Sequence, residues 1–154
     1  MKTHKIPSPQ TAEMGEDPLG ERLGKPLTEE EELYKENILD HYRSPHNKGQ
    51  LKKYTQTHSD LNPLCGDRIT IYLQVSPNSP KILTDISFEG SGCAISQAAA
   101  SLLTDNIKGK KVEEIRNLGP WDVFNLLGIR ISHTRSKCAL LSLKTIQHGL
   151  QGVK

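Results

Sequence analysis

The chain has 154 residues, a hydrophobic fraction of 34% and only 5% aromatics, which fits one modest domain carrying a polar segment. Twenty Lys+Arg against 18 Asp+Glu leave a formal net charge of +2, and no basic run is interleaved with aromatics, so composition gives no case for a nucleic-acid partner. No apolar stretch is long enough to span a bilayer, and Met1–Gln10 has Lys2 and Lys5 but no apolar h-region, so the expectation is a cytosolic chain without a membrane or a secretory signal.

Residues 1–27 hold Pro7, Pro9, Pro18 and Pro26 among few aliphatics and are expected to form a disordered arm, with the ordered domain spanning 28–154. Thr28-Glu29-Glu30-Glu31 is a capping box that opens a helix, and its glutamates suit the positive end of the helix dipole. Tyr34, Ile38 and Tyr42 give that helix an apolar stripe, and Pro45 ends it. Residues 51–61 are polar, with Tyr54 and threonines that permit an edge strand. Ile69, Ile71, Leu73 and Val75 alternate with Arg68, Thr70, Tyr72 and Gln74, the pattern of a half-buried strand.

Ser76-Pro77-Asn78-Ser79-Pro80 is turn chemistry, and Ile82, Thr84, Ile86 and Phe88 predict a second strand antiparallel to the first. After Gly90-Ser91-Gly92, the alanine- and leucine-rich run Cys93–Ile107 predicts a helix that Gly109 stops. Short helices are expected at 112–118 and 121–127, with Trp121 and Phe124 in the core. A last helix is expected over 135–147, with Ala139, Leu140, Leu143 and Ile146 on its apolar face. Strands gather early and helices late. The predicted class is therefore α+β: a small antiparallel sheet of about three strands with helices on one face.

Three cysteines cannot all pair within one chain, and a reducing compartment leaves them as thiols. Each falls at the end of a predicted element beside polar or glycine residues, whereas structural cysteines sit within apolar runs. Asp67 follows Cys65 by two residues, and Gly66 between them lets both side chains turn to one ion. Cys65, Asp67, Cys93 and Cys138 would supply a tetrahedral set suited to zinc or iron, with the carboxylate as the weakest corner. Their spacing is not that of a zinc finger, so metal binding and idle or buried thiols stay open on spacing alone. His41, His46 and His133 are expected on the surface. Arg135 and Lys137 are either solvated charges or support for the Cys138 thiolate. A cysteine hydrolase is disfavoured, since no histidine and carboxylate stand in a defensible arrangement with a thiol.

Asn62-Pro63-Leu64-Cys65-Gly66-Asp67 resembles the N-P-x-C-G-D signature of the IscU/SufU/NifU iron–sulfur cluster assembly scaffold family. Gly90-Ser91-Gly92-Cys93-Ala94-Ile95-Ser96 and Arg135-Ser136-Lys137-Cys138-Ala139 resemble its second and third signatures in their SufU-like forms. Tyr34 to Tyr42, with Pro45 and Asn47, is similar to the family's opening helix. The resemblance runs from about Leu33 to Leu150.

It implies a scaffold or sulfur carrier in place of a turnover enzyme. Such a protein takes persulfide sulfur from a cysteine desulfurase and passes a transient [2Fe–2S] cluster, iron or sulfur to apo-protein recipients or a downstream carrier. The implied ligands are Cys65, Asp67, Cys93 and Cys138, with zinc as the ion expected in isolated protein. Cys65 is the favoured persulfide acceptor, and Arg135 and Lys137 give thiolate support or partner contact. Lys137 stands where IscU-type chains have histidine, the SufU-type insertion before the third cysteine is absent, and Ile131-Ser132-His133-Thr134 replaces the IscU chaperone motif. Cluster building and a zinc-based sulfur relay, or a structural zinc protein of the same fold, are therefore both open.

Overall fold

The computed structural model describes residues 28–63 and 66–153. The expected arm over 1–27 and the residues Leu64 and Cys65 lie outside the described residues. Helix α1 spans Glu29–Arg43, strands β1, β2 and β3 span Gln56–Asn62, Asp67–Val75 and Leu83–Ser91, and helices α2, α3, α4 and α5 span Ala94–Ile107, Val112–Arg116, Pro120–Leu127 and His133–Leu150. The sheet is an antiparallel meander in the order β1-β2-β3. The α+β class is as the hydrophobic periodicity predicts.

The capping box forms in both directions, with Glu31 N–H donating to Thr28 Oγ1 and Thr28 N–H to Glu31 Oε2, each at 3.1 Å. Ile69, Ile71, Leu73 and Val75 all point into the core. β3 departs from strict alternation. A bulge pairs Val75 with Leu83 and leaves Thr84 outside the ladder, its hydroxyl donating to the Gln74 carbonyl at 2.9 Å. Leu83, not Thr84, is therefore buried, together with Ile86 and Phe88.

Helices α2 and α5 pack on the buried face of the sheet, and α1 packs on α2. Held between a sheet and another helix, α2 buries Ala98, Ala99, Ala100, Leu103 and Ile107, which explains its apolar composition. Each fully buried aliphatic or aromatic side chain here is worth about 1.5–3 kcal/mol.

Three expectations need correction. His41 is buried and its Nδ1 lies 2.6 Å from Ser101 Oγ, whereas Tyr42 is 45% exposed. At 3.6 residues per turn, the stripe facing α2 runs through 34, 38 and 41; a strict four-residue spacing drifts off it. Trp121 is 42% exposed at the start of α4, edge-on to a half-buried Phe124, because Val123 and Leu127 take the inward face. The last helix starts at His133, capped by the Ser132 hydroxyl, so His133 is an exposed first-turn residue and Cys138 lies in the second turn. His46 is exposed as expected and pairs with Asp105.

Candidate metal centre

Asp67 opens β2 next to Gly66, whose φ of +77° is the left-handed conformation that a turn into the strand requires here. Cys93 is the N-cap of α2, where the end of the helix dipole favours a thiolate. Cys138 faces inward from α5. β2 and β3 pair so that Arg68 stands opposite Ser91, which carries the Gly92-Cys93 turn to the start of β2. α5 packs across β1 and β2 and brings Cys138 to the same end.

The result is a tight cluster. One ligand atom from each of Asp67, Cys93 and Cys138 lies within 4.8 Å of the others. Asp67 Oδ2 is 3.7 Å from Cys93 Sγ, and Oδ1 accepts from the Cys93 backbone N–H at 3.2 Å. Asp67 is 3% exposed and Cys138 4%, while Cys93 is half-buried. A tetrahedral ion with sulfur at about 2.3 Å and oxygen at about 2.1 Å holds such atoms about 3.6–3.8 Å apart, and the 3.7 Å between Asp67 Oδ2 and Cys93 Sγ fits a zinc- or iron-sized ion.

Gly92 makes the approach feasible. A Cβ at that position would stand 2.7 Å from Asp67 Cγ, 2.8 Å from Oδ1 and 2.6 Å from Ser96 Oγ. Only a residue without a side chain leaves the carboxylate room.

Of the four expected ligands, three come together. Cys65 lies outside the described residues. Arg135 and Lys137 are exposed on the first two turns of α5, where positive charge opposes the helix dipole. Lys137 also lines a cavity of about 630 Å³ with Asn62, Pro63, Leu140 and Lys144.

Asn62 was not singled out by sequence reasoning, although it opens the first cysteine motif. It is buried at the end of β1, and its Nδ2 points to Cys138 Sγ at 3.9 Å. His58, Asp60 and His148 were also missed, and they form a second group of possible metal ligands. The signal for it was the His58-x-Asp60 spacing, which puts both side chains on one face of a strand.

Residues 33–153 match the family model described as NifU-like N terminal domain. The zinc-dependent sulfurtransferase SufU of Bacillus subtilis is 35% identical, the match covering 77% of this chain and 89% of that protein. The iron–sulfur cluster assembly scaffold protein IscU of Thermotoga maritima is also 35% identical, over 79% of this chain and 94% of that protein. Among solved structures, a SUF-system scaffold from Fervidobacterium islandicum superposes with a TM-score of 0.63 at 28% identity, covering 75% of this chain and 94% of that one.

Proposed function

The chain belongs to the NifU-like N-terminal domain family, and from that premise we propose that it accepts sulfur from a cysteine desulfurase and serves as an iron–sulfur cluster assembly scaffold. The observation that carries this reading is the convergence of Asp67, Cys93 and Cys138 from three separate elements. Thiolates with one carboxylate hold iron or zinc while leaving one weaker corner for exchange.

Cys65 completes the set as the fourth ligand. A separation of two residues limits its Cα to at most about 7.6 Å from that of Asp67, which is short enough for both side chains to serve one ion. Zinc is the ion expected at this site in isolated protein, where it would hold all three cysteines as thiolates. Iron and the [2Fe–2S] cluster are cargo.

Cys65 is the sulfur entry point. Its thiolate attacks the outer sulfur of the desulfurase persulfide. The new S–S bond forms on Cys65, and the desulfurase cysteine leaves as thiolate. The burial of Cys138 and its contact with Asn62 support this assignment, since a partner's persulfide must reach the attacking sulfur. Arg135 and Lys137 offer exposed positive charge to the partner or to the Cys138 thiolate.

A relay without cluster building is the second reading. It is favoured by Lys137 where a histidine precedes the third cysteine in IscU-type chains, and by the zinc-dependent sulfurtransferase among the relatives. Metal analysis of the isolated protein, then anaerobic incubation with desulfurase, cysteine and ferrous iron, separates the readings. Visible absorption of a [2Fe–2S] cluster supports the scaffold. Retained zinc with a persulfide and no cluster means a relay. Retained zinc with neither overturns the sulfur-handling function.

A further inference from the structure

Along β1, His58, Asp60 and Asn62 turn toward the helices, while Thr57, Ser59 and Leu61 turn to solvent. Near the far end of α5, His148 meets the first two. Its Nδ1 donates to Asp60 Oδ2 at 2.9 Å, and His58 Nε2 lies 3.3 Å from Asp60 Oδ1. The imidazole rings stand edge to face with centroids 5.4 Å apart. All three ligand atoms fall within 4.8 Å of one another.

The meeting depends on how closely α5 lies on the sheet. A Cβ on Gly149 would sit 2.9 Å from Ile71 Cδ1, 3.1 Å from Leu73 Cδ1 and 3.4 Å from His58 Cβ. Glycine inside a helix is destabilising relative to alanine. Here it lets the helix settle against β1 and β2, with His148 at the carboxylate.

Burial pushes the Asp60 carboxyl up, but the hydrogen bond and charge of His148, the charge of His58 and a hydrogen bond from Thr145 outweigh it and hold it below the usual carboxylate range.

We propose that His58, Asp60 and His148 form a second, thiolate-free binding site for a divalent transition-metal ion of the zinc or ferrous iron class. Two imidazole nitrogens and one carboxylate oxygen are a donor set for these ions. With metal–ligand distances near 2.05 Å, ligand atoms lie about 2.9 Å apart at right angles and about 3.3 Å apart in a tetrahedron. The two nitrogens approach different oxygens of Asp60, His148 Nδ1 at 2.9 Å from Oδ2 and His58 Nε2 at 3.3 Å from Oδ1, and each separation falls in that range.

The ion takes the place of the proton in the His148–Asp60 bond, which is released to solvent. The His58 and His148 side chains are 38% and 37% exposed, and His148 lines the cavity that also holds Asn62 and Lys137. Water can thus fill the remaining positions. The site is separate from the cysteine centre in chemistry but adjacent along β1. Asn62, which contacts Cys138, follows Asp60 by one strand repeat of about 6.8 Å.

The test is a cobalt(II) titration of the full chain already loaded with one equivalent of zinc. Expected is one further cobalt ion per chain, with weak visible d–d bands and no sulfur-to-cobalt charge transfer in the near ultraviolet. Asp60→Asn and His148→Gln should each weaken that step by more than about 10-fold, the loss that even supporting-shell changes cause. His58→Gln, at a half-buried edge-strand position, gives a third variant should either of the others fail to fold. No second equivalent at tenfold excess, cobalt entering only with thiolate charge transfer, or undiminished binding in folded variants would overturn the proposal.

Discussion

The carboxylate of Asp67 occupies the space a side chain would fill at Gly92: a Cβ there would fall 2.7 Å from Asp67 Cγ. The two residues come from different elements, β2 and the turn after β3. Their contact fixes where the carboxylate stands relative to Cys93, whose N–H it accepts. Asp67 is 3% exposed, so little slack surrounds it.

Gly92→Ala should therefore displace the Asp67 carboxylate and break its bond to the Cys93 N–H. Zinc affinity should fall by about 10–100-fold, as for other changes that misorient a ligand. Competition with a chromophoric chelator measures this. Unchanged affinity in a folded variant would show that the carboxylate is not held in place by the missing side chain.

Asp67→Ala should slow exchange at the cysteine centre. The carboxylate is the weakest of the four proposed ligands, and its removal leaves three thiolates that hold metal or cluster more statically. Reconstituted variant and parent should be compared for cluster transfer to an apo-acceptor. Equal transfer rates would contradict the exchange role given to Asp67.

His41 sets a pH dependence of stability. Burial, and after it the neighbouring His46, lower its pKa below the ordinary 6.5 despite opposing effects of Asp105 and Asp40. The unfolded chain then binds this proton more readily than the folded one. The His41 contribution to stability is full above about pH 6.5 and is lost as pH falls from there toward the lower folded value. Urea denaturation at about pH 7.5 and about pH 5.5 should show the parent losing stability on acidification, and His41→Gln losing less. Equal losses would place the pH dependence elsewhere.

Much of the fold was legible because it rests on local chemistry. The Thr28–Glu31 capping box and the alternation through Val75 are short-range patterns that the structure keeps, whereas β3 runs on through Gly90 and Ser91 and ends only before Gly92. What escaped the sequence depends on tertiary packing. Which face of α1 meets α2 decides that His41 is buried and Tyr42 is not. The bulge at Thr84 shifts the inward set by one residue, which alternation cannot anticipate. Ser132 carried a readable N-cap signal, yet the helix was expected to begin two residues after His133.

At the candidate site, residue types and motif contexts pointed to Asp67, Cys93 and Cys138, and their convergence is seen in the fold. Asn62 gave no such signal of its own. Its role comes from the packing of α5 against the end of β1. Of His58, Asp60 and His148, only the first two were readable together, as neighbours on one strand face, because their partner lies 88 residues beyond Asp60.

The central claim is that sulfur enters at Cys65 of a cysteine–aspartate centre. Its most direct test is intact-protein mass spectrometry after reaction with a cysteine desulfurase and cysteine, on Cys65→Ser, Cys93→Ser and Cys138→Ser single variants beside the parent. The expected result is one added sulfur on the parent and on the Cys93 and Cys138 variants, and none on the Cys65 variant. Added sulfur on the Cys65 variant, with none on the Cys138 variant, would contradict it and assign entry to the buried thiol of α5.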